Sequence, residues 1–119
     1  MGKIYLGVYY ETASKVCPVE VWLDEQSDLI KAKMHKLMGL LERHRENLPP
    51  KVLGSLGNGL FEIKPQVDKK WPRIIFFHYE DDQIIYLHGF VKKTNKTPRR
   101  EIEIAEKRRK DFYRQKEKE

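Results

Sequence analysis

Over residues 3–11 the apolar positions alternate, with Ile4, Leu6 and Val8 on one parity and Tyr5 and Tyr9 on the other, which predicts an opening β-strand. Pro18 suits the first turn of a short helix ending near Glu25, with Val19, Val21, Trp22 and Leu23 as its buried residues. The spacing then changes to three and four. Ile30, Met34, Leu37, Leu41 and His44, widened by Leu29, Met38 and Leu40, predict a second helix that Ser27 caps and Pro49 and Pro50 stop. Gly57-Asn58-Gly59 is turn chemistry leading into a strand over residues 60–64, where Phe61 and Ile63 face a core and Glu62 and Lys64 face away. Two nearly continuous apolar runs, 73–79 and 84–91, are joined by a polar turn at 80–83 and predict a hairpin. Thr97 and Pro98 read as the N-cap and first turn of a last helix reaching about Arg114. Its apolar stripe of Ile102, Ala105 and Phe112 is thin, so this helix is expected to be only partly docked and open to another molecule.

The order strand, helix, helix, three strands, helix is that of an α+β domain. It predicts a small antiparallel-rich sheet with an N-terminal helical pair on one face and a C-terminal helix. With 119 residues there is room for one core, so residues 1–119 are expected to form a single domain. No run of about 18 apolar residues occurs, and the start lacks the apolar stretch of a secretory signal, so a cytoplasmic protein without a membrane partner is expected. Cys17 is the only cysteine, which excludes a disulfide within the chain and a cysteine-based zinc site. His35, His44 and His78 have no ligand spacing, and no metal is expected.

Charge changes this picture by its position. Residues 1–91 hold 12 Lys or Arg against 12 Asp or Glu, whereas residues 92–119 hold 12 against 6, so the whole net charge of +6 lies in the last quarter. A clustered positive field suits a polyanion or an acidic partner, although a solvated helix laced with i,i+4 pairs has the same composition.

The run Leu87-His88-Gly89-Phe90-Val91-Lys92-Lys93-Thr94-Asn95-Lys96-Thr97-Pro98 carries a resemblance. With Gly59-Leu60-Phe61-Glu62 upstream, Arg73 opening the next strand, and Glu101-Ile102 to Tyr113 downstream, the chain closely resembles the phage-derived HigB-like branch of the RelE/ParE toxin superfamily over about residues 57–113. The resemblance implies a compact toxin of a type II toxin–antitoxin pair, neutralised by a cognate antitoxin that is usually a small helix-turn-helix protein. It implies an endoribonuclease that enters the ribosome and cleaves mRNA, with no metal and no cofactor. The ribose 2′-OH then attacks the adjacent phosphate, and the protein orients that attack, helps move a proton and stabilises the charge that develops. Some members of the superfamily inhibit DNA gyrase instead and have no nuclease activity.

On this reading the catalytic candidates are Glu62, Lys64, Arg73, His88, Lys92 and Lys93, and the RNA-binding candidates are Lys92, Lys93, Lys96, Arg99 and Arg100. Phe112, Arg108 and Arg109 are the antitoxin-binding candidates. Strand alternation allows Glu62, Lys64, Arg73, His88 and Lys92 to converge on one open sheet face. Each has a plainer alternative. Arg73 pairs across strands with Glu62, Lys92 and Lys93 are solvated gatekeepers at an edge, and His88 is a satisfied core residue. Many relatives carry arginine where Lys64 stands, and lysine keeps the charge but loses the bidentate fork.

Overall fold

The computed structural model describes residues 2–93 and 96–119. Among them five strands, β1 (Leu6–Tyr9), β2 (Leu53–Gly57), β3 (Leu60–Ile63), β4 (Trp71–Tyr79) and β5 (Gln83–Lys92), form one sheet in the order β1-β5-β4-β3-β2. β1 runs parallel to β5, and every other neighbouring pair is antiparallel. Three α-helices accompany it: α1 (Pro18–Asp24), α2 (Asp28–Arg43) and α3 (Arg99–Glu117). The α+β class and the helical pair on one face are as the sequence predicts.

Side-chain alternation explains the layering, because each strand sends successive residues to opposite faces. On one face α1 and α2 bury Val19, Leu23, Ile30, Met34 and Leu41 against Ile63, Ile74, Phe76, Ile84 and Tyr86. Ser27 caps α2 by accepting from the Ile30 backbone N–H at 3.2 Å. Val21 and Leu29 are exposed instead of buried, and His44 lies outside the helix as its exposed C-cap.

The other face is closed as well. α3 lays Ala105 and Phe112 over Leu60, Ile75, Phe77, Ile85 and Leu87 as a second core, which corrects the expectation of a partly docked helix on an open face. The thin stripe is supplemented by polar and cation–π contacts. Tyr10 donates to Asp111 at 2.6 Å, Arg109 donates to the Asn58 carbonyl at 2.7 Å and lies 5.8 Å from the Phe77 ring centroid, and Lys116 lies 5.9 Å from that of Tyr79. The cap and start of α3 each fall one residue later than expected, and the helix runs on to Glu117, past Arg114. The N-cap is Pro98, because the Thr97 hydroxyl is engaged elsewhere.

β2 is the strand that the pattern did not predict. Its sequence, Leu-Gly-Ser-Leu-Gly, reads as turn, and a bulge between Ser55 and Gly57 breaks its alternation. It pairs with β3 through the two-residue loop Asn58-Gly59, whose φ angles of 53° and 79° give the twist that a tight hairpin needs.

A second bulge sets the functional face. Ile75 lies opposite His88 while Phe76 lies opposite Tyr86, so Leu87 is an extra residue in β5. Before it, Ile85 faces α3; after it, the parity changes and His88, Phe90 and Lys92 face the same side as Ile75, Arg73 and Trp71. Gly89 consequently turns toward α1, where a Cβ would collide with the Trp22 ring.

Candidate active site

Where β2, β3 and β4 extend past the start of α3, a cleft of about 840 Å³ opens. Glu62, Lys64, Arg73, Lys96 and Thr97 line it among the sequence-predicted or neighbouring residues, and Lys51, Ser55, Gln66, Trp71 and Ile102 complete much of the wall. Lys64 reaches it by crossing Gly54, whose absent side chain leaves room; a Cβ there would lie 3.2 Å from Lys64 Nζ.

The floor is a buried ionic network. Glu62 and Arg73 are 6% and 3% exposed, and Arg73 Nε lies 3.4 Å from Glu62 Oε1, near enough for ion pairing but not aligned as a hydrogen bond. Arg73 Nη1 donates to the carbonyls of Pro65 and Pro72 at 3.3 and 3.1 Å. Thr97 Oγ1 donates to Glu62 Oε1 at 2.7 Å and accepts from Lys92 Nζ at 3.5 Å. Burial holds the Arg73 guanidinium below its ordinary pKa, with Glu62 opposing. The Lys92 ammonium is pushed down by burial and by Arg73, with Glu62 opposing and Lys64 adding to the fall.

His88 forms a separate cluster under α3. Its Nε2 is 2.7 Å from Glu101 Oε1 and its Nδ1 3.1 Å from Arg108 Nη1, which also donates to the Leu87 carbonyl at 2.9 Å. An arginine can only donate, so the arrangement fits a neutral ring carrying its proton on Nε2. Burial, then Arg108, push the His88 pKa down, against the Glu101 hydrogen bond. His88 therefore is the satisfied residue of the plainer alternative, and it does not line the cleft.

The remaining candidates divide. Lys92 is buried and is no solvated gatekeeper, whereas Lys93, Lys96, Arg99 and Arg100 are exposed around the start of α3. Phe112 is buried in the second core, Arg108 is bound within the fold, and Arg109 is tied to the β2–β3 turn. Thr94 and Asn95 of the motif lie outside the described residues. Trp71 and Lys51 were missed by sequence reasoning, although Trp71, two positions before Arg73, shares its parity. Among the described residues no three His, Cys, Asp or Glu side chains are grouped to hold a metal ion, and no helix is long and apolar enough to cross a membrane.

A small α+β sheet with helices on both faces and a cationic cleft around one buried carboxylate defines the class. The family model described as phage-derived protein Gp49-like (DUF891) matches residues 21–110, which contain the entire cleft, and the chain belongs to that family. The family is associated with RelE-like toxins of toxin–antitoxin pairs. No curated protein matches the chain.

Proposed function

We propose that this protein is a HigB-like toxin that cleaves mRNA on the ribosome, and that the cleft is its active site. The observation that carries the reading is the buried Glu62, fixed by Arg73 and Thr97 at the floor of a cleft whose other charged lining groups, Lys51, Lys64 and Lys96, are cationic. Ribonucleolytic transfer needs a proton acceptor for the 2′-OH and positive charge around the phosphate. Glu62 supplies the first and the lysines the second. The 2′-oxygen forms a bond to phosphorus, the bond from phosphorus to the 5′-oxygen breaks, and Lys64 returns a proton to that leaving oxygen. Arg73 and Lys92 act from beneath: Arg73 orients Glu62, and Lys92 braces Thr97. Lys93, Arg99 and Arg100 extend the positive field over ribosome-bound RNA.

The partner is a helix-turn-helix antitoxin. Its acidic surface meets the exposed strip of α3 formed by Lys107, Lys110 and Arg114, in place of the buried Phe112.

The test maps mRNA ends in a translation reaction with the native protein, Glu62→Gln and Lys64→Ala, with folding checked by thermal melts. New ends should appear only on translated message. Losing one preorganised group should slow cleavage about 10²- to 10³-fold in each folded variant. Absence of new ends with the native protein, together with inhibited supercoiling by DNA gyrase, would establish the non-nuclease ParE-like alternative.

A further inference from the structure

Trp71 stands apart from the rest of the aromatic side chains in how little the fold uses it. It opens β4 opposite Lys92, partly buried, and forms part of the cleft wall. Among the described residues neither hydrophobic core includes it, and it packs on no other ring, whereas Trp22 lies across Gly89 against the first core. A large planar side chain at the end of a central strand usually goes into a core; here it lines a cleft beside lysines.

The surrounding chemistry specifies what such a ring would meet. Lys51 and Lys64 lie along the same cleft, and the volume of about 840 Å³ falls within the roughly 300–1,000 Å³ of small-ligand sites. Cations that follow a phosphate backbone, combined with an aromatic face that accepts any base, are the two elements of single-strand recognition. Double-stranded RNA does not present an unstacked base to such a ring. An acidic peptide would use the lysines and leave the ring without a planar partner.

We infer that the cleft takes single-stranded RNA, with one base stacked on Trp71 and the adjoining phosphates held by Lys51 and Lys64. The inference rests on the nuclease reading for its biological substrate, but the binding is a property of the free protein. Trp71 is then the group that fixes which phosphate is presented to Glu62, and the stacking makes that placement tolerant of base identity.

The experiment measures anisotropy of a fluorescently labelled single-stranded hexaribonucleotide with the native protein, Trp71→Phe, Trp71→Ala and Lys64→Ala. Polyphosphate and polyglutamate serve as unlabelled competitors. Trp71→Ala should bind about tenfold more weakly, the scale of one stacked base, while Trp71→Phe retains most of the affinity. In Trp22→Phe, which leaves Trp71 as the single tryptophan, RNA should quench the emission and polyphosphate should not. If Trp22→Phe does not fold, the anisotropy series decides alone. Native affinity in folded Trp71→Ala, or quenching by polyphosphate or polyglutamate equal to that by RNA, overturns the inference. If the hexamer stacks on Trp71 yet the native protein cleaves no translated message, the nuclease reading fails and this one stands. If message is cleaved and Trp71→Ala binds and cleaves as the native protein does, this one fails alone.

Discussion

At the scale of single residues, the cleft floor is where stability and chemistry meet. Arg73 and Glu62 are both nearly inaccessible, so removing one leaves the other buried and charged without its partner. Breaking a buried pair in this way typically costs about 3–5 kcal/mol. Arg73→Ala should therefore lower the chemical-denaturation midpoint strongly, whereas Lys93→Ala, at an exposed position, should leave it within about 0.5 kcal/mol. Similar midpoints for the two variants would show that the pair carries no structural role. The sequence offers both readings of Arg73, phosphate ligand and cross-strand partner, because either use favours a guanidinium. The distances to Glu62, Pro65 and Pro72 supply the cross-strand contact, which the sequence offered only as one of the two. Thr97 is a comparable case: threonine before proline looks like a helix cap, yet the hydroxyl serves a carboxylate 35 positions earlier in the chain.

Among the elements, α3 departs furthest from its sequence pattern. Counting apolar positions undervalues a helix that docks through two buried residues and then fastens itself with Arg108, Arg109, Asp111 and Gln115. Phe112→Ala should destabilise the protein by about 3–5 kcal/mol, since it removes a ring that packs 4.9 Å from Tyr79 and 5.6 Å from Phe77 between centroids. Calorimetric melting of the free protein checks this; an unchanged melting temperature would return the helix to the role of a loose arm. Strands β4 and β5 were legible because their apolar runs are long and β3 because Phe61 and Ile63 alternate with Glu62, and that alternation allowed Glu62, Arg73, His88 and Lys92 a common face. β2 was not, since glycine at two of its five positions gives no period to detect. The Leu87 bulge was equally silent in the sequence. Lys51 and Trp71 went unread as site residues because their role depends on which elements border the cleft.

For the molecule as a whole, two histidines, the buried His88 and the half-buried His78, link folding to acidity. His88 is pushed down by burial and Arg108, and His78 by burial, Arg45 and Lys3, so both favour the neutral ring in the fold. The unfolded chain takes up protons near the ordinary value of 6.5 while the folded chain resists until a lower pH. Stability is then fullest above 6.5 and declines as pH falls through that value toward the folded pKa. The denaturation midpoint should drop between pH 7 and about pH 5, and the double variant His78→Gln/His88→Gln should flatten the dependence. An equal drop in that variant would place the effect elsewhere. The parallel pairing of β1 with β5 bears on something different, the order in which the protein is made. Leu6 meets Gln83, and Thr97 and Arg108 follow later still. The first strand thus has no neighbour to join until the fifth has left the ribosome, and the cleft is incomplete until the start of α3 emerges behind it. If the proposed activity holds, a half-made chain carries no assembled site, and the ribosome that synthesises the protein finishes its own product before that product can act on translation.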